Sequence, residues 1–221
     1  ASDATLGKHD VVYTQSSTGG GAQATLSAAL DVTAATPTIT AISPTSLRQG
    51  DSAQTLTVSG TNFISGGTLS VSGTGLQVGS TTVVSSTQAT VTVSVDSDAT
   101  IGKRSVSYTH PSNAGGGSAT ATDSLSVLYP DPTITAVTGG AHPPGTTGAT
   151  VTVTGTGFRS GGVWTTSGTG ITITNVSLTG ATSATLTISV ASSATTGDRD
   201  LTYTQPTAGG GDSVTAQNAL Q

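Results

Sequence analysis

Few residues in this chain could do chemistry. The bases that titrate near neutral pH are His9, His110 and His142, and all eleven acids are Asp. Related stretches recur at a spacing of 95 residues, so each histidine can be compared with its counterparts. His9 stands where Arg104 and Arg199 stand later, His110 where Gln15 and Gln205 stand, and His142 where Leu47 stands. A base present in one copy, with no acid or nucleophile fixed beside it, reads as a solvated surface histidine and not as a catalyst. No H-x-H, H-E-x-x-H or cysteine pair offers a transition metal its ligands. Asp96-Ser97-Asp98 could open a calcium loop, since Ca²⁺ gathers carboxylate oxygens, but its counterpart is Ala191-Ser192-Ser193 and the reading is a turn. Asp131, in Tyr129-Pro130-Asp131-Pro132, is a second calcium candidate at a junction; the matching Ala34-Ala35-Thr36-Pro37 has no acid.

The glycine triplets at 19–21, 115–117 and 209–211 are not followed by G-K-[ST] and precede no helix, so they do not cradle phosphate. They read as flexible hairpin tips, with packing between neighbouring units or chains as the alternative. Trp164 aligns with Leu69 and reads as a core-facing strand residue; the alternative is an exposed ring that stacks on a sugar. Asn175-Val176-Ser177 matches a glycosylation sequon inside a strand-like run. The expectation is a protein that is not an enzyme, with no catalytic residue, cofactor or metal ligand.

Composition narrows the class. The chain has 47 Thr, 30 Ser and 30 Gly, only 8% charged residues, and no Glu, Cys or Met. Strand and turn formers dominate while the strong helix formers Glu, Lys and Met are scarce, which excludes a helical bundle, a coiled coil or an ordinary α/β enzyme. Six cations against eleven acids give net charge −5 and argue against a nucleic-acid partner. No run of about 18 apolar residues is present to span a membrane. Absent cysteines remove disulfides and thiol catalysis. Low charge, abundant hydroxyls and missing Cys and Met fit an extracellular or cell-surface location, and the first ten residues contain no apolar h-region of a signal peptide.

The internal repeat governs everything else. Residues 3–15, DATLGKHDVVYTQ, recur as DATIGKRSVSYTH at 98–110 and as SATTGDRDLTYTQ at 193–205. PTITA at 37–41 recurs at 132–136, and the G-T-x-F turns end at Phe63 and Phe158. Between 37–110 and 132–205, 32 of 74 positions are identical without a gap, so the two segments must share one fold. The expected organisation is a partial repeat at 1–35 holding the last two strands, a complete repeat at 36–130 and a nearly complete one at 131–221. Such an organisation suggests a window of a longer array, or a 1–35 segment that completes a neighbouring molecule's sheet.

Within a repeat the apolar period is two, as in Thr55-Leu56-Thr57-Val58 and Thr90-Val91-Thr92-Val93-Ser94-Val95. Apolar residues alternating with hydroxyls describe antiparallel strands with one face on a core. Breakers divide each 95 residues into about seven strands, near 37–43, 53–60, 68–72, 75–84, 87–95, 103–110 and 118–128. That number and spacing predict tandem immunoglobulin-like β-sandwiches, all-β, with Leu56, Val58, Phe63, Val91, Val93, Val106 and Tyr108 inside.

The motif order P-x-I-x-x-I, G-x-x-x-x-L-x-V-x-G-x-x-F, A-T-V-T-V-x-V, then A-T-x-G-x-R-x-V-x-Y-T and a glycine triplet resembles the IPT/TIG family of immunoglobulin-like domains. In the first full copy it is carried by Pro37, Ile39, Gly50, Leu56, Val58, Gly60, Phe63, Ala99, Gly102, Val106, Tyr108 and Gly115. In the second it is carried by Pro132, Ile134, Gly145, Val151, Val153, Gly155, Phe158, Ala194, Gly197, Leu201, Tyr203 and Gly209. The second copy departs from the first where Ser43-Pro44 becomes Thr138-Gly139 and Pro143-Pro144 shifts toward the turn. The resemblance implies spacer modules of large, repetitive bacterial surface adhesins and exported proteins. The expected role is therefore structural: spacer repeats of an extracellular fibre, filament or adhesin, with neighbouring copies or flanking repeats of the same protein as partners. The alternative is a module whose loops grip a surface glycan or a receptor, which Trp164, Arg159 and His142 in the second copy faintly favour.

Overall fold

The computed structural model describes residues 4–221; Asp3, which opens the first recurring stretch, lies outside them. The described chain is all-β, with no α-helix and three short 3-10 turns. Its strands run β1 (Gly7–Thr14), β2 (Gln23–Val32), β3 (Thr38–Ser43), β4 (Ser46–Arg48), β5 (Gln54–Thr61), β6 (Thr68–Val71), β7 (Leu76–Val78), β8 (Thr82–Ser85), β9 (Gln88–Val95), β10 (Gly102–Thr109) and β11 (Ser118–Leu128). They continue with β12 (Thr133–Thr138), β13 (Ala149–Thr156), β14 (Val163–Thr166), β15 (Ile171–Leu178), β16 (Ser183–Val190), β17 (Arg199–Thr204) and β18 (Ser213–Leu220). The described residues divide into two compact units, with the boundary between Ser126 and Val127.

The second unit shows the design plainly. One sheet has the order β12-β13-β16-β15 and the other β14-β17-β18. Alternation does the sorting: along β16, Ala184, Leu186, Ile188 and Val190 point in while the hydroxyls between them point out. One buried cluster draws on both sheets, joining Val151, Val153, Leu186 and Ile188 to Trp164, Leu201, Tyr203 and Leu220. This is an immunoglobulin-like β-sandwich. In the first unit β3-β5-β9-β7 form one sheet, with β8 also pairing β9, and β4-β11-β10-β6 form the other. Leu56, Val58, Phe63, Val91, Val93, Val106 and Tyr108 are all buried there. Strand β5 and β13, β6 and β14, and β9 and β16 begin 95 residues apart.

Two strands differ from expectation. The run expected as one strand over 75–84 is split into β7 and β8, because the Gly79 amide turns to the Thr92 carbonyl at 2.8 Å. In the second unit Thr174 replaces that glycine and β15 continues to Leu178, absorbing the extra length as a bulge between Ile173 and Asn175. The short β4 was not expected at all, since three residues, Ser-Leu-Arg, show no alternation to read.

A tyrosine closes each sandwich. The Tyr108 hydroxyl donates to the Ile64 carbonyl and accepts from the Ile64 amide, both at 2.9 Å. Tyr203 repeats this with Arg159, at 3.3 Å to the carbonyl and 2.7 Å from the amide. Each ring thereby ties its strand to the chain just past the phenylalanine. Burial raises the Tyr203 phenol above its usual value, against the opposing pull of the Arg159 main-chain hydrogen bond and charge. A raised folded-state pKa stabilises below the unfolded value of about 10 and is lost as pH rises through the folded one. The second unit should therefore lose stability above about pH 10. Tyr203→Phe should flatten that alkaline limb, at a cost of about 1–2 kcal/mol at neutral pH from the vacated main-chain bonds. Urea denaturation at pH 8 and pH 11 checks both; an undiminished alkaline limb in the variant would assign the effect elsewhere.

Candidate functional site

The three histidines are occupied with the chain's own carbonyls. His9 Nε2 reaches the Thr5 carbonyl, His110 Nε2 the Asn62 carbonyl and His142 Nε2 the Gly139 carbonyl, each at 2.7 Å. A carbonyl only accepts, so each Nε2 carries the proton. Arg104 and Arg199, the counterparts of His9, likewise donate to the carbonyl four residues back, Thr100 and Thr195. Among the described residues no group of three or more His, Asp or Glu side chains could hold a metal. Asp96 lies in the turn after β9, where the Ala99 amide bonds its carbonyl at 3.1 Å.

Two expectations need correction. His110 is not a surface histidine: it is buried, and its ring stands edge-on to Tyr108. The signal was legible, because 15, 110 and 205 always carry Gln or His, side chains that present an N–H at similar reach. Gln205 uses its amide to clamp the Pro130 and Gly157 carbonyls, both at 2.9 Å. His110→Gln should therefore hold stability within about 1 kcal/mol, whereas His110→Ala, which strands the Asn62 carbonyl, should cost about 1–3 kcal/mol. Chemical denaturation of both variants checks this; equal losses would show that the position needs no donor.

The glycine triplets are likewise not bare tips. Each belongs to a 3-10 turn, over Ser17–Gly19, Ser112–Ala114 and Thr207–Gly209. Two glycines per turn hold constant register and positive φ, Gly20 and Gly21, Gly115 and Gly116, Gly210 and Gly211; the third varies. The turns also receive the chain segment that leads in: the Ala34 amide donates to Ala114 at 3.1 Å and the Tyr129 amide to Gly209 at 3.0 Å. The Arg159 guanidinium lies 4.8 Å from the centre of the Tyr129 ring. Trp164 is in the core, 4.7 Å from Tyr203 and 5.1 Å from Phe158.

A cavity of about 190 Å³ opens in the second unit beside His142, Pro143, Pro144, Ile171, Val190 and Ala194. Its origin is the departure noted in the sequence. In the first unit Leu47 is buried and Gln49 donates to the Ala99 carbonyl at 2.6 Å. In the second, His142 and Pro144 stand in those places, so neither the apolar plug nor the clasp is made. The Arg199 guanidinium on the rim is already bonded to the Thr195, Gly197 and Asp198 carbonyls.

Among the described residues, one face of the first hairpin has no other strand packed on it. Strands β1 and β2 form a two-stranded sheet by themselves. Tyr13 is 65% exposed, Val11 51% and Leu30 54%; their counterparts Tyr108, Val106 and Leu125, and Tyr203, Leu201 and Leu220, are exposed by at most 1%. Leu26 is exposed too, but it corresponds to the half-buried Ala121 and Ala216 and so belongs to the rim of the face, not its centre.

A profile of the quinohemoprotein amine dehydrogenase alpha subunit domain III matches residues 36–114, less than half of the chain. No curated protein sequence matches. Solved structures with a similar fold include the Plexin A4 extracellular region, 17% identical over 76% of this chain, with a TM-score of 0.32; the chain spans 16% of that protein. The Yersinia pseudotuberculosis adhesin InvE is 15% identical over 84% of this chain and 58% of its own, with a TM-score of 0.39. Bovine butyrophilin is 11% identical over 83% of this chain and 99% of its own, with a TM-score of 0.48.

Proposed function

We propose that the chain is a run of structural, non-enzymatic spacer repeats of IPT/TIG type, set in an extracellular surface fibre or large adhesin and flanked by further repeats of its kind. One observation carries this reading: the same sandwich is built twice, and in both copies a histidine (His110, His142) and the equivalent arginine (Arg104, Arg199) direct donors at the fold's own carbonyls, as the buried Gln205 amide also does. A catalyst or a selective binder keeps convergent polar groups free for its ligand. A spacer needs only stable modules joined by stiff, short segments, and prolines at 37, 130 and 132 restrain the backbone there. A surface of Ser and Thr with few charges and no oxidisable Cys or Met suits an exposed location.

The test is in-phase deletion of one 95-residue unit from the protein on its native cells. Export and assembly should persist with a shorter reach. Loss of a specific adhesion when the second unit alone is removed would sink the spacer reading. That outcome would favour the second one, a module that grips a small ligand, for which the cavity beside His142 is the supporting observation.

A further inference from the structure

We propose that the apolar face of the β1–β2 hairpin is the receiving half of a sandwich, and that its occupant is the front half of another repeat of this type. By front half we mean a segment like Pro37 to Val95, with its Gly-x-x-Phe turn and the Gly-Gly-x-Leu strand that follows. The inference rests on the tandem-repeat reading above.

The hairpin is preformed for this. Its second strand places Ala28 at φ 52°, as the covered hairpins place Asp123 at 52° and Asn218 at 54°. At each of these bulges the amide is held by a side chain of the facing strand: Ala28 by Asp10 at 2.7 Å, Asp123 by Ser105 at 3.2 Å and Asn218 by Asp200 at 3.0 Å. A left-handed conformation at a non-glycine residue is costly and is kept where the surroundings require it. The uncovered hairpin keeps the bulge and the 3-10 turn of the covered ones, so covering it demands little reordering.

The covered hairpins also show what recognises the occupant. The outer edge of β17 pairs with β14, setting Trp164 opposite Tyr203, and the edge of β10 pairs with β6, setting Leu69 opposite Tyr108. The corresponding edge of β1 is free for a strand carrying Leu or Trp opposite Tyr13. The Tyr13 hydroxyl would then bond the main chain just past the occupant's phenylalanine, as Tyr108 bonds Ile64. The Gln15 amide would take the carbonyl that Gln205 takes from Gly157.

Counting selects the occupant. Among the described residues there are three hairpins of this type and two front halves, 36–95 and 131–190, each already packed on its own hairpin. A second copy of the chain can lend a front half only by uncovering a hairpin of its own, so exchange between copies gains no covered face.

The experiment places a second copy of residues 36–95 ahead of residue 1, which keeps the 95-residue phase, and follows amide exchange across the whole extended chain. Exchange at 7–14 and 23–32 should slow by at least roughly 100-fold, into the range of β10 and β11. Phe63→Ala in the added copy, or Tyr13→Ala in the hairpin, should reverse most of that protection. Fast exchange in the hairpin of the extended chain would overturn the inference. So would an unextended 1–221 chain that is a dimer, or a monomer, with the hairpin already protected. None of these results bears on unit deletion in cells, so the spacer reading stands or falls separately.

Discussion

Phe158→Ala is expected to lower the stability of the second unit by about 3–5 kcal/mol, leaving it close to unfolding at 25 °C. Phe158 is almost fully buried and touches two rings, with centroids 5.1 Å from Trp164 and 5.1 Å from Tyr203. Removing it leaves a void between the two sheets that Val and Leu side chains, fixed by strand register, cannot close. It also ends two aromatic contacts, each of about 0.5–1.5 kcal/mol beyond burial. In the first unit Phe63 meets only Tyr108, at 4.4 Å, because Leu69 stands in the tryptophan's place. Phe63→Ala should accordingly cost about 1 kcal/mol less than Phe158→Ala. Trp164 is the only tryptophan, so its fluorescence in urea reports the second unit, and amide exchange in β5 and β9 reports the first. Equal losses, or a larger loss for Phe63, would show that the ring cluster adds nothing beyond area.

How far the fold could be read depended on how much of each element's cause is local. Strands β5 and β9 were legible because alternation is a local cause and runs for eight residues in each. The 95-residue offset then supplied what alternation could not, by marking Phe63 and Phe158, or Tyr108 and Tyr203, as the same position in one fold. Elements missed were those whose cause is distant or conformational. Strand β4 exists because β11 lies beside it. The bulge at Ala28, Asp123 and Asn218 depends on a facing side chain 18 residues away. In the glycine triplets, three identical letters concealed that only two positions need positive φ.

The functional reading was harder for a related reason. Alignment of copies exposes what is shared, and here the shared polar residues serve folding. As a base in one copy with no acid or nucleophile fixed beside it, His110 reads as a surface residue; the Asn62 carbonyl, 48 residues away, explains why His or Gln is used there. The open face of the first hairpin is visible in the sequence as a set of core-type residues, Val11, Tyr13, Leu26, Leu30 and Val32, of which Leu26 proves to lie on the rim. Its exposure against buried counterparts turns that pattern into an open apolar surface.

Replacing Gly155 by alanine should be nearly as damaging as Phe158→Ala, although it adds one carbon instead of removing six. Gly155 is the next-to-last residue of β13 and pairs with Ile134, where β12 bulges between Ile134 and Ala136; the Thr133 carbonyl lies directly over the glycine. A Cβ there would overlap the Thr133 oxygen and stand 2.8 Å from the Phe158 ring carbon Cζ. Gly60 is in the same position, with the Thr38 carbonyl above it and Phe63 Cζ at 2.7 Å. Neither neighbour can yield cheaply. The carbonyl belongs to a sheet strand, and the ring is wedged against Tyr203 in the core. We expect Gly155→Ala to cost about 3 kcal/mol or more, at the upper end for overpacking, and to act by detaching β12. Amide exchange separates this from a general loss: β12 should open first while β13, β16 and β17 retain protection. Gly145→Ala, at a position where a Cβ meets open space but φ is 89°, serves as the control and should cost only about 1–2 kcal/mol of backbone strain. If the two variants were equally stable, the close approach of β12 would not constrain this position.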